Sequence, residues 1–222
     1  MFSLPDFILW LLTTFVEAFV VYLFVIRGLF SQFLFLNLYL ALLVAAEVGR
    51  YAILLHFGLA SAVFYSFYFF SDGLLGIFLF LSICQLSTRL VGDLIPRRTI
   101  ALFNSGLFVA TACLSFPVAS SRGFLDASVI FAFQLSQNFS LVCGLSIVAL
   151  WTWKLRNHPT DWISAQLVNT LTVYFLLLAL GSAALQVAPR NSGRINLFCM
   201  IEAWLPLGCG FALLSPDQPQ TD

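Results

Sequence analysis

Charge is scarce in this chain. Only 9% of its 222 residues are Asp, Glu, Lys or Arg, while 61% are hydrophobic. Soluble domains carry about 25% charge. A chain with a mean hydropathy of +0.98 lacks the polar surface to cover itself in water, so its main solvent is hydrocarbon. The 10 basic and 10 acidic residues cancel. No basic field points to nucleic acid, and no polybasic run points to anionic headgroups.

Histidine and lysine are nearly absent. Of two histidines, His56 ends an apolar run and His158 sits in a loop. That leaves no facing imidazole pair for a membrane b-type haem and no span-centre His for an intramembrane serine protease. The single lysine, Lys154, lies at the end of a run, which excludes a retinal Schiff base deep in the seventh. Asp72 is the one clearly mid-run aspartate, so paired catalytic aspartates are lacking. No HExxH, GxGxxG or P-loop occurs. His158 and Asp161 in NHPTDW read as a solvated loop. Cys84, Cys113, Cys143, Cys199 and Cys209 form no CxxC pair and all fall in apolar runs. They read as small hydrophobes, not as a disulfide framework or zinc site. No enzyme, cofactor or metal is expected.

What is present is long apolar sequence. A membrane-crossing helix needs about 20 apolar residues. Seven such runs occur, at about 7–26, 33–56, 62–88, 99–119, 127–153, 163–187 and 196–214. None shows the period-2 alternation of a barrel strand. Backbone groups in lipid must bond internally, so each run should be helical, with a kink at Pro206 in the seventh. The expected fold is all-α, a polytopic membrane bundle of seven transmembrane helices occupying residues 1–214. The tail, 215–222, is polar. Connections such as RGLFSQ and KLRNHPTD are too short to be domains, and no internal repeat is visible.

Orientation follows from Lys and Arg in short loops. The odd loops hold Arg27, Arg89, Arg97, Arg98, Lys154 and Arg156; the even loops hold Arg122, Arg190 and Arg194. This bias expects the N-terminus outside and the C-terminus cytoplasmic. The start, MFSLPDF, lacks the basic region and cleavage site of a signal peptide.

Inside these runs sit charges that lipid disfavours. In LVAAEVGRYAIL, Glu47 and Arg50 are three residues apart on one helix face, close enough to pair. Arg50 lies nearer the span end, where its stem can snorkel. Intramembrane charges cost about 2.5–3.5 kcal/mol each on insertion scales, so they face the bundle interior and find partners. Counted from the outer ends, Glu17, Glu47 and Asp72 lie roughly 10 residues in and Glu202 roughly 6. That is about 9–15 Å deep at 1.5 Å per residue. Gln134, Gln137 and Asn138 of the fifth run fall in the same layer and share a face. Thr13 and Thr14 precede Glu17 by one turn. Tyr65, Tyr68 and Asp72 form one stripe. Asn104, Gln166 and Asn169 lie toward the inner side. The expected candidate binding residues are therefore Glu17, Glu47, Arg50, Asp72, Gln134, Asn138 and Glu202. They form either an outward-open cavity or a closed network that sets helix pairing.

Three stretches carry a resemblance: FILWLLTTF after a short start, FYSFYFFSDGLLGIFLFL in the third run, and FQLSQNFSLVCGL leading to WTWKLRN in the fifth. With its seven-run layout, the chain resembles uncharacterised bacterial seven-span proteins. More distantly it is similar to the seven-span sensor regions preceding histidine kinase or diguanylate cyclase domains. That resemblance implies the bacterial cytoplasmic membrane and a sensory role. No kinase or cyclase follows Leu214, so a partner would carry the output. The residues name no reaction. Three functions remain open: a stand-alone sensory or ligand-binding module, a small transporter or proton-coupled permease, and a structural subunit of a membrane complex.

Overall fold

In a computed structural model, residues 4–58, 61–92, 95–119, 124–157, 162–187 and 208–210 are described. They form six helices and one helical turn: α1 (Leu4–Ile26), α2 (Leu34–Phe57), α3 (Ala62–Val91), α4 (Arg97–Ala119), α5 (Phe124–Asn157) and α6 (Trp162–Val187), with the turn at 208–210. The first six apolar runs each lie on one helix, with ends within four residues of those read from sequence. The seventh run, with Glu202 and Pro206, lies outside the described residues apart from that turn.

Four helical stretches are long and apolar enough to cross a membrane: Leu34–Phe57, Ala62–Val91, Arg97–Phe116 and Ser128–Lys154. The backbones of α1 and α6 run for 23 and 26 residues, with apolar stretches at Leu11–Ile26 and Ile163–Leu177. Of the seven expected crossings, four are met on length and composition among the described residues. At 1.5 Å per residue α5, with 34 residues, is about 51 Å long, well beyond the ~30 Å hydrocarbon core.

Helix ends follow local chemistry. Pro5 falls in the first turn of α1, and Pro96 immediately precedes α4, where a missing N–H removes no helical bond. Ser61 caps α3 by accepting the Phe64 N–H at 3.1 Å. Gly58, at φ 77°, ends α2 and returns its N–H to Leu54 O. That left-handed conformation suits glycine. The start of α2 has no cap of its own. Gln85 of α3 supplies one: its Oε1 accepts the Phe35 N–H at 3.3 Å, while its Nε2 donates to Gln32 O at 2.9 Å.

The helix α3 is central, packing on α2, α4, α5 and α6; α5 packs on α3, α4 and α6, and α1 on α2. Leu40, Phe80, Phe139, Ile147 and Val168 fill the core. Phe80, Phe108 and Phe139 lock α3, α4 and α5 with ring centroids 5.2–5.9 Å apart. Leu102, Phe103, Leu114 and Phe116 of α4 instead face outward, as expected of a surface solvated by acyl chains rather than water. The turn at 208–210 sits against both α6 and α1. A Cβ on Gly208 would clash with Thr170 Cγ2, and one on Gly210 would lie 3.3 Å from Val20 Cγ2. Only glycine allows that approach at Gly208.

One end of the bundle gathers cations. It carries Arg27, just after α1, Arg89 and Lys154 in the last turns of α3 and α5, and Arg97 and Arg98 in the first turn of α4. The Arg89 guanidinium lies 4.7 Å from the centre of the Phe33 ring.

Candidate functional site

The charged stretch of α2 meets α3 in the half of the bundle away from the basic end. Two glycines permit the approach. A Cβ on Gly49 would lie 2.7 Å from Phe67 Cζ, and one on Gly73 would lie 3.2 Å from the Ala132 carbonyl oxygen of α5. Small residues let membrane helices come close enough for side chains to bond across the interface.

Arg50 is the hub. Its guanidinium carries five N–H donors in a rigid fork, and the surroundings use both edges. Nη1 donates to Glu47 Oε1 at 3.2 Å. Nε and Nη2 both donate to Ser71 Oγ, at 3.1 and 2.9 Å. Nη2 also reaches Tyr68 O at 3.4 Å and lies 3.5 Å from Asp72 Oδ1. The guanidinium carbon stands 4.2 Å from the Tyr68 ring centre, within cation–π range. Ser71 accepts from Arg50 while donating its own hydroxyl to Tyr68 O at 2.9 Å.

Asp72 extends the network to a third helix. Ser136 of α5 donates to Asp72 Oδ2 at 2.7 Å. One carboxylate thus holds α2 through one oxygen and α5 through the other. Two carboxylates against one guanidinium leave a formal charge of −1 when both acids are ionised. Arg50 is buried, at 9% exposure; the Asp72 side chain is 40% exposed. The accessible member of the cluster is therefore an anion.

Of the residues singled out from sequence, Glu47, Arg50 and Asp72 come together here. Snorkelling of Arg50 is corrected: its stem turns inward to α3. Asn138 is engaged elsewhere. Its Nδ2 donates to Ser115 Oγ of α4 at 2.9 Å, and Ser115 donates to Thr111 O. Residues 136 and 138 differ by about 200° around a helix, so Ser136 turns to α3 and Asn138 to α4. Gln134 is half-buried and Gln137 exposed. Of the expected amide face of α5, Asn138 belongs to the α4 contact. Glu17 is 1% exposed, on the α1 face that also buries Thr13, Val20 and Phe24. Val20, one turn on, faces Gly210. Glu202 lies outside the described residues. Tyr65 of the expected stripe is exposed and stacks on Phe69.

Ser71, Ser136 and the two glycines are the members that sequence reasoning missed. The signal was there: Ser71 adjoins Asp72, and Ser136 sits within QLSQN, in the predicted polar layer. A hydroxyl in an apolar run is common, however, and only the neighbouring helix shows which one is used.

A second polar contact lies at the basic end. Lys154 Nζ donates to Asn169 Oδ1 at 2.8 Å and to Ala165 O at 3.1 Å, and Asn169 donates to Gln166 Oε1 at 3.1 Å. It joins α5 to α6 without a carboxylate. Among the described residues no group of three His, Cys, Asp or Glu is placed to hold a metal. Cys143 and Cys209 are buried as small hydrophobes, whereas Cys113 faces outward.

No family model matches the chain, and neither curated proteins nor solved structures give a match. The resemblance to kinase and cyclase sensor regions has no support from these comparisons. Its apolar helices make the chain a membrane protein; its function must be argued from its own residues.

Proposed function

We propose that this chain is a stand-alone ligand-binding or sensory membrane module that acts through a partner protein. The observation that carries this reading is the position of Asp72. It is the exposed anion of the cluster, and it is shared between two helix contacts. A ligand bearing a protonated amine would compete with Arg50 for Oδ1 and with Ser136 for Oδ2. Loss of either contact weakens the hold of α3 on α2 or on α5. A ligand shifts such an equilibrium only by its difference in affinity for the two packings. Asp72 provides that difference, because it is committed in one packing and available in the other. The adjacent rings of Tyr65, Tyr68 and Phe69 suit an ammonium ligand, which aromatic faces attract.

The reading includes seven crossings in a bacterial cytoplasmic membrane, with the basic end cytoplasmic. Support for a seventh helix comes from the turn at 208–210, seated against α6 and α1. Reporter fusions at the two termini would then report opposite sides. A purely structural clasp is the second reading, favoured by the number of bonds already satisfied at Arg50. The permease reading gains nothing here, since the described helices are uninterrupted.

The two readings part in thermal unfolding of the purified protein. Propylammonium, titrated to about ten times its Kd, should stabilise the wild type by about 1.4 kcal/mol. That corresponds to a Tm rise of roughly 3–6 °C. Asp72→Asn should abolish the rise. An equal response in both proteins, or none in either, leaves the clasp as a structural device.

A further inference from the structure

A cleft of about 650 Å³ opens at the basic end, away from the Asp72 network. Its walls are α3 from Phe80 to Val91, Ile95 and the start of α4 from Thr99 to Leu107, and α5 from Val142 to Trp153. Ser87, Thr99, Asn104 and Ser146 are its few hydroxyl and amide groups; the rest of the lining is almost wholly aliphatic or aromatic. This volume falls within the range of about 300–1,000 Å³ seen for ligand pockets. The lining offers a polar molecule few partners along its length.

The mouth is different. Ile95 and Thr99 line the cleft, and between them in sequence stand Arg97 and Arg98, both exposed. They open α4. The first helical N–H to find a carbonyl there is that of Thr99, on Pro96 O at 2.9 Å; earlier N–H groups of a helix point out of its end. Backbone donors and guanidinium groups at one site favour a phosphate. Among the described side chains this end carries five cations; Asp93, in the loop between α3 and α4, lies outside the described residues. Although the sequence has no polybasic run, the fold collects these cations from separate elements.

We propose that this cleft holds one acyl chain of an anionic glycerophospholipid, with its phosphate on Arg97 and Arg98 at the start of α4. The apolar walls take the chain and the arginines select the headgroup. An uncharged or zwitterionic lipid of the same chain length gains the first contact without the full second one. An anionic headgroup alone gains the second without the first. A lipid seated there would tie α4 to α3 and α5, beside the Phe80–Phe108–Phe139 contact.

The test uses the full-length protein, stripped of lipid in detergent and offered equal amounts of phosphatidylglycerol and phosphatidylcholine with matched chains. Native mass spectrometry counts what stays bound. The wild type should retain a single phosphatidylglycerol at least tenfold over phosphatidylcholine. Arg97→Gln with Arg98→Gln, both surface changes, should bring that ratio close to one. Ala149→Phe, which fills the cleft from α5, should reduce retention of both lipids while Arg97 and Arg98 remain. Glycerol 3-phosphate should fail to displace the lipid. Equal retention of the two lipids by the wild type would overturn the proposal. So would a ratio unmoved by the arginine changes, retention unmoved by Ala149→Phe, or displacement by glycerol 3-phosphate at lipid-like concentrations.

Discussion

Arg50 and Lys154 are both held between helices in this bundle, and they are held differently. Arg50 lies deep, 9% exposed, and meets two carboxylates, a hydroxyl, a carbonyl and an aromatic face. Lys154 lies at the basic end and meets one amide oxygen and one carbonyl. The difference follows depth. Far from water a cation needs opposite charge to offset its lost hydration. Near the headgroups neutral dipoles suffice, because water and lipid phosphates share the task. The carboxylates beside Arg50 therefore reflect where it sits, and they make α2, α3 and α5 depend on one charge balance.

Substitutions can break or sharpen that contrast, and Arg50→Leu should do most. It strands Glu47 and Asp72 without their cation and should cost about 3–5 kcal/mol, seen as a large drop in Tm and in yield from detergent extraction. A Tm near wild type would mean that the two acids do not need the arginine. Asp72→Asn should cost about 1 kcal/mol. It keeps an acceptor for Ser136 and leaves Arg50 with Glu47, Ser71 and Tyr68, so the unfolding midpoint should move by only a few degrees. Lys154→Met should cost least, about 0.5 kcal/mol, because interhelical hydrogen bonds in membranes average ~0.6 kcal/mol. If chemical denaturation ranked Lys154→Met beside Arg50→Leu, depth would not be what separates the two sites.

Much of the fold was legible in sequence because hydrocarbon imposes one rule on every crossing: backbone groups must bond within the helix. The run at 62–88 thus reads as Ala62–Val91, and the run at 127–153 as Phe124–Asn157. The ends shifted outward because polar residues such as Arg97 and Asn157 continue a helix into the headgroup region. The Glu47–Arg50 pair was legible too, since spacing on one helix fixes it. Contacts between helices were not. Glu17, Asp72 and Asn138 share a depth, but depth says nothing of azimuth. The 200° between Ser136 and Asn138 sends one to Asp72 and the other to Ser115. Gly49 and Gly73 decide which faces close together, and a glycine in an apolar run gives no sign of which neighbour it admits.

The central claim is that Arg50 of α2 and Asp72 of α3 interact across the helix interface inside the membrane. A double-mutant cycle of Arg50→Gln and Asp72→Asn, measured by unfolding in one detergent or bicelle system, tests it directly. The expected interaction energy is at least about 0.5 kcal/mol, with the double variant less destabilised than the sum of the singles. Additivity to within about 0.3 kcal/mol would contradict it, because two residues that do not interact lose their contributions independently.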